Sequence, residues 1–295
     1  MVRTKRFSDL FITIFAYTIC IIMAFLCLVP IIHTIAVSLS SKSAASAGMV
    51  SFWPVDFTLA SYTEIIKDDQ FFRSFMNSIY RVLLGGAINL VLIVLSAYPL
   101  SKSTKYFPQK NIYMCFFVFT MLFSGGLIPS YLLVSKLKLL DTIWALVLPG
   151  AVNVYNIILF MNFLKGLPEE LEESARIDGA STFVIFLKII LPLSVPGIAT
   201  VALFTIIGHW NAFFDGIIYI NSQEKVPLQT YIQQLTTEIR SDTLLTPEER
   251  ARINEVSSLT FNAAKVFVTM IPVLIVYPFL QKYFVTGLVM GSVKG

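Results

Sequence analysis

The stretch Leu171–Ser181 reads LEESARIDGAS: three acids, an arginine and a glycine set between two long apolar runs. It has the pattern of a water-exposed helix. Pro168 suits a first helical position, where its missing N–H removes no bond. Glu169, Glu170, Glu172 and Glu173 fill the first turns, where the helix dipole favours negative charge by about 0.3 to 1 kcal/mol each. Gly179 suits the left-handed residue that ends a helix. The expected element is a short helix over about 168–181 on the membrane's inner face, with Leu167, Leu171 and Ala175 on one side at i, i+4, i+8 spacing. By helix chemistry alone, a well-capped interfacial connector fits the same residues equally well.

The surroundings are those of a polytopic membrane protein. Of 295 residues, 56% are hydrophobic and only 14% charged, and the mean hydropathy is +0.75. A span needs about 20 mostly apolar residues, and six stretches meet that requirement: about 10–37, 77–100, 112–134, 143–164, 183–210 and 263–284. All are expected to be helices, because an open strand edge in lipid leaves backbone groups unpaired. The fold class is therefore all-α, with six transmembrane helices and a short helix between the fourth and fifth. The first stretch has a basic start (Arg3, Lys5, Arg6) like a secretory signal, but its apolar part is about twice the usual 7 to 15 residues, which marks a retained anchor.

Orientation follows the basic residues. Arg3, Lys5 and Arg6 precede the first span, and Lys102, Lys105 and Lys110 lie between the second and third. These ends are expected in the cytosol, with both termini there too. The 168–181 segment is then cytosolic, and the longer loops 38–76 and 221–262 lie outside. Cys20, Cys27 and Cys115 fall inside spans, as packing residues rather than a disulfide set. With His33 and His209 they make no metal site. The net charge of +4 reflects topology and gives no reason to expect nucleic-acid binding.

A longer pattern runs through the opening stretch. Glu173-Ser174-Ala175, three residues, Gly179, nine residues, then Ile189-x-Leu191-Pro192 resembles the EAA motif of the inner-membrane permeases of ABC importers. The spacing matches throughout, and Ser174 in place of the first alanine is the sole departure. The resemblance extends to FWPVDFTLASYTEI after the first span, to ARIDGAS, and to LQKYFVTGLVMGSVKG at the end. These are similar to carbohydrate permeases of the maltose-type class, in particular those importing oligosaccharides, including uronate-containing ones. The likeness covers nearly the whole chain.

No G-x-x-x-x-G-K-[ST] phosphate loop occurs, so ATP and Mg are expected in a partner ATPase and this chain is not expected to be an enzyme. The resemblance implies that Glu173, Ser174, Ala175, Arg176, Asp178 and Gly179 form a coupling helix seated in a cleft of that ATPase. Glu173 would pair with an arginine there, and Gly179 would permit close approach. It also implies a second, related permease forming the other half of the pore, two copies of a cytosolic ATPase, an extracytoplasmic sugar-binding protein, and a location in the bacterial inner membrane. Pro192, Pro196 and Gly197 follow the coupling segment and are candidate hinge residues; a static kink needed for packing is the alternative.

Polar side chains within spans are candidates for the transport path. Trp210 and Asn211 end the fifth span, and Asn153, Tyr155 and Asn156 lie in the fourth. They offer an aromatic face for a sugar ring and amides for its hydroxyls, although such groups also join helix to helix by hydrogen bonds. Arg81 and Lys188 lie near helix ends and are expected to snorkel to the interface. In the last outer loop, Thr246 and Glu249 are spaced as a capping box with Pro247 at the first helical position. The resemblance to maltose-type permeases implies that the expected short helix contacts the binding protein; a plain connector shielding the outer mouth fits equally well. An ion-coupled secondary transporter is the alternative function, disfavoured because no Asp or Glu lies deep in a span. A scaffold would have no need of the spaced acid, glycine and proline.

Overall fold

The computed structural model describes residues 7–240 and 259–292. Among these residues every regular element is helical. The basic residues Arg3, Lys5 and Arg6 and the expected helix at Thr246–Glu249 lie outside the described residues. The chain falls into two compact units, Met1–Asp69 with Gln234–Ile271, and Gln70–Gln233 with Pro272–Gly295.

In the first unit, α1 (Phe7–Ser38) is apolar on all sides, and its candidate span Ile12–Ser38 has its most apolar window entirely unburied within the chain. Thr18 and Thr34 turn their hydroxyls back to the carbonyls of Ile14 and Pro30, so neither is left unsatisfied in an apolar setting. Two short helices follow, α2 (Lys42–Ser46) and α3 (Ala60–Lys67). Ala36, Ala44, Ala45 and Val50 make a small core. Lys265, 1% exposed, donates to Asp68 at 2.6 Å.

The second unit is built around α4 (Asp69–Ser101), a helix of 33 residues and so about 50 Å long. Its buried positions Ser74, Ser78, Arg81, Gly85, Asn89, Ile93, Ala97 and Leu100 recur every three or four residues as one stripe. The stripe is polar or small over its first half and apolar over its second. The apolar half packs with Ile157, Phe160 and Leu164 of α8 (Val154–Lys165) and with Ile185, Ile190 and Val201 further on, forming the main core.

Three of the six expected spans are not single straight helices. The third is divided into α5 (Lys110–Leu122) and α6 (Leu127–Lys136), bent by 109°. Gly126 sits at the break with φ +88°, a conformation that suits glycine. The fourth is divided into α7 (Ile143–Val147) and α8, separated by Pro149 and Gly150. With 12 residues, α8 rises only about 18 Å, short of a bilayer core of about 30 Å. The fifth begins with α10 (Thr182–Ile185), continues through one π-helical turn (Phe186–Ile190) and α11 (Leu191–Leu193), and then turns 74° at Ser194 into α12 (Val195–Asn211). Pro196 lies in the opening turn of α12, where a missing N–H removes no helical bond, whereas Pro192 lies inside a helical run continuous from Thr182, directly after the π-helical turn, and removes one. The chain completes itself with α13 (Phe214–Tyr219), α14 (Leu228–Arg240) and α15 (Leu259–Ser292). Cys20, Cys27 and Cys115 are free and exposed on α1 and α5; contrary to expectation, they are not packed within the chain.

Candidate functional site: an exposed helix at one end and a polar cluster at the other

The segment LEESARIDGAS forms α9 (Glu170–Ile177), its acids Glu170, Glu172 and Glu173 in the first turn. Pro168 precedes the helix instead of opening it. The end has the Schellman pattern: the N–H of Ala180 donates to Ala175 O at 2.9 Å and that of Gly179 to Arg176 O at 3.0 Å, with Gly179 at φ +80°. Ser181 then caps α10 by accepting from the N–H of Val184.

The six expected coupling residues divide between two faces of α9. Glu173, Ser174, Asp178 and Gly179 are exposed, and Ile177 beside them is 86% exposed. Ala175 and Arg176 are half-buried toward the chain, with Leu167 and Ala180 packed near Ala175 on the core. Leu171, expected to share a face with Leu167 and Ala175, is exposed where they are half-buried. The inner face is held chiefly by Glu172, which forms an ion pair with Lys102 and lies 4.0 Å from Arg176. The Arg176 guanidinium stands 4.3 Å over the Tyr106 ring. Sequence reasoning passed over Glu172; its i, i+4 spacing from Arg176 was the available signal.

At the other end of α4, the polar half of the stripe meets α12, α13 and the loop before α8. Arg81, 2% exposed, does not snorkel: its guanidinium grips both carboxylate oxygens of Asp215 and donates to Ala212 O at 3.3 Å and Leu146 O at 3.4 Å. Burying the guanidinium is feasible because a carboxylate and two carbonyls replace water. Two turns on, the Asn89 amide donates to the carbonyls of Gly150 and Ala151, and its oxygen lies 2.6 Å from His209 Nε2, which therefore carries the proton. Arg81, Asn89, Asn153, Thr205, His209 and Asp215 line a cavity of about 210 Å³.

The expected path residues are dispersed. Asn153 lines that cavity and caps α8 by accepting from the N–H of Asn156. Asn156, 2% exposed, donates to Thr205 at 3.4 Å and joins α8 to α12. Tyr155 is exposed. Trp210 is 3% exposed, edge-on to Phe75, and lines a separate, wholly apolar cavity of about 240 Å³ with Val82, Leu203 and Val276 among others. Asn211 is exposed. Trp210 and Asn211 thus face different surroundings despite being neighbours. Gly197 serves close packing: a Cβ there would stand 2.5 Å from the Phe163 ring.

Beyond the ends of α6 and α13, Asp141 accepts from Lys225 Nζ at 2.7 Å, from the Ser222 hydroxyl at 2.6 Å, and from the N–H groups of Ser222 and Asn221. The lysine first, then these donors, hold its carboxyl well below the usual range. Among the described residues no three His, Cys, Asp or Glu gather as a metal site.

Residues 82–289, more than half of the chain, match the family described as binding-protein-dependent transport system inner membrane component. The chain belongs to that family. It is a permease subunit of an ABC importer, not itself an enzyme. It is 39% identical to the polygalacturonan/rhamnogalacturonan transport system permease protein of Bacillus subtilis, over 95% of this chain and 96% of that one. It is 41% identical to protein LplC of the same organism, over 91% and 90%. Among solved structures, it resembles a chain of a bacterial ABC transporter involved in import of the acidic polysaccharide alginate, with a TM-score of 0.82 and 34% identity over 95% of this chain and 98% of that one. The permease is accordingly a multi-pass membrane protein.

Proposed function

We propose that this permease forms half of the pore of an ATP-driven importer for an acidic oligosaccharide, and that α9 is its coupling helix. The observation that carries the reading is the outer face of α9. Glu173, Ile177 and Asp178 project from a helix locked at Gly179, in a member of a binding-protein-dependent family. An isoleucine 86% exposed, with Glu173 and Asp178 on the same exposed face, is a surface suited to a basic cleft on a partner.

In this reading two copies of a cytosolic ATPase hold ATP and Mg and seat α9, with Glu173 facing an arginine. A second, related permease completes the pore, and an extracytoplasmic binding protein delivers the sugar. The chain crosses the bacterial inner membrane six times with both termini in the cytosol, the bent α5–α6, α7–α8 and α10–α12 segments each serving as a span. Interhelical ties support that arrangement. Lys102 between the second and third stretches meets Glu172 between the fourth and fifth, whereas Asp141 after the third meets Lys225 after the fifth. Alternate connections meeting at opposite ends is what a six-span topology requires. The bend at Ser194, flanked by Pro192, Pro196 and Gly197, is the hinge by which movement of α9 reaches α12.

The names of two relatives, an alginate importer and a polygalacturonan permease, denote polymers of carboxylate-bearing sugars, which supports an acidic substrate. In this reading Asn153 and the Arg81–His209 cavity supply the polar wall of the path, while Asn156 ties α8 to α12 and Trp210 lines the separate apolar cavity.

The test is ATP hydrolysis by the purified assembly in nanodiscs, with the binding protein empty or loaded with galacturonate or alginate oligosaccharides. Stimulation by a loaded acidic oligosaccharide supports the reading. Absence of a copurifying ATPase, with uptake following a proton or sodium gradient, overturns it.

A further inference from the structure

Coupling helix α9 is joined to the rest of the permease in two ways. One is covalent, at both ends: Leu167 and Pro168 lead in from α8, and Gly179, at φ +80°, leads through Ala180 and Ser181 into α10. These chain joints transmit a pull along the backbone, with Leu167, Ala175 and Ala180 seated on the core. The other joint is lateral. The Glu172 carboxylate pairs with the Lys102 ammonium, and both side chains are largely enclosed, at 14% and 18% exposure. Arg176 approaches the second oxygen of Glu172 while stacking on Tyr106, so the anchor has two prongs into the loop after α4. Lys110 fixes that loop by donating to Lys102 O at 2.6 Å. Lys102 also lies 4.4 Å over the ring of Tyr98 on α4, and Tyr98 packs at 4.8 Å on Phe186 in the π-helical turn. The contacts close a ring: α9 to Lys102, Lys102 to Tyr98, Tyr98 to Phe186, and Phe186 through α10 back to α9.

We propose that Glu172 and Lys102 are positioning residues that make α9 and the adjoining end of α4 move as one body when the ATPase moves α9. The proposal rests on α9 being the coupling helix. Load then enters the pore laterally as well as along the chain: through Leu167 and Pro168 into α8, through Gly179 into the bent fifth stretch, and through Lys102 into α4, the helix that carries Arg81 and Asn89. An enclosed charge pair suits this role better than an exposed one, whose contribution salt and side-chain motion reduce. Glu172 takes no part in the outward surface of α9, where Glu173, Ile177 and Asp178 lie. Docking and transmission therefore belong to adjacent glutamates on different faces.

The experiment uses the full assembly in proteoliposomes with radiolabelled trigalacturonate as the transported probe. Uptake and ATP hydrolysis are measured together for wild type, Glu172→Lys, Lys102→Glu and the double swap. Each single variant is expected to copurify with the ATPase at wild-type stoichiometry, yet to lose about fivefold or more in trigalacturonate moved per ATP hydrolysed. The swap is expected to restore most of that ratio. A merely structural role would lower the amount of assembly and leave the ratio of survivors unchanged. Single variants with a wild-type ratio, single variants that no longer hold the ATPase, or a swap that restores nothing would each overturn the proposal. A wild-type assembly without a bound ATPase would instead refute the importer reading beneath it.

Discussion

Arg81 and Asp215 stand 134 residues apart in the chain and meet as a two-pronged ion pair, the guanidinium 2% exposed and each of its terminal nitrogens facing one carboxylate oxygen. The pair ties the polar half of α4 to the first turn of α13. Removing Asp215 strands a buried guanidinium, and removing Arg81 leaves a carboxylate, 27% exposed, without its partner. Arg81→Met and Asp215→Asn are each expected to destabilise the permease by about 3 kcal/mol or more. Arg81→Lys is expected to rescue little, because one ammonium cannot reproduce the fork. Thermal loss of monodisperse protein in detergent checks this, and wild-type stability of Arg81→Met would contradict it.

This pair also marks what the sequence does not disclose. An arginine near a helix end and an aspartate after a different span each read as interfacial residues, since no local pattern links them. The tie between Asn89 and His209 is hidden for the same reason. The motif helix was far more legible. Its acids, Gly179 and the proline-bearing continuation are local signals, and α9 and its left-handed end form where they indicate. The breaks in the third and fourth stretches had local markers too, Gly125-Gly126 and Pro149-Gly150, but the apolar composition across them reads as continuous. Hydropathy counts residues suited to lipid; it does not show where the backbone turns.

Gly197 and Gly86 offer a contrast within helices. A Cβ on Gly197 would meet the Phe163 ring at 2.5 Å, whereas Gly86 has open space around it. Gly197→Ala is expected to destabilise by about 1 to 3 kcal/mol through overpacking of α12 on α8. Gly86→Ala is expected to be neutral or to stabilise by about 0.5 to 1 kcal/mol through its helix preference. Melting curves of the two variants decide it; equal effects would mean that the α8–α12 approach is looser than described.

The Asp141 carboxyl is held below its ordinary value by Lys225 and its other donors. Its folded value lies below its unfolded one, so it contributes stability that is fully present above the unfolded value of about 3.9 and is lost as pH falls through the folded one. Asp141→Asn should therefore be less stable than wild type at pH 7, and the gap should narrow once pH drops below about 4. Thermal midpoints of both proteins across pH 3 to 7, taken at about unit intervals, test the sign. A gap that widens on acidification would show that the carboxylate is not the stabilising form.

Asn156 joins α8 to α12 through Thr205 and is nearly fully buried. Asn156→Ala is expected to lower stability by about 0.6 to 2 kcal/mol, as for other interhelical hydrogen bonds in membranes. Asn153, which lines the polar cavity, is the better candidate for contact with sugar. Asn153→Ala should reduce uptake per assembled complex more than Asn156→Ala does, and paired uptake and expression measurements distinguish them.

The central claim is that the outer face of α9 docks on the ATPase. The most direct measurement places the photocrosslinker p-benzoylphenylalanine at Ile177, 86% exposed on α9, with Ile66, 84% exposed on α3, as the control position. The account predicts an adduct from position 177, identified by mass spectrometry as the ATPase, and none from position 66. An active assembly in which position 177 gives no ATPase adduct, or in which position 66 gives it instead, would contradict the account.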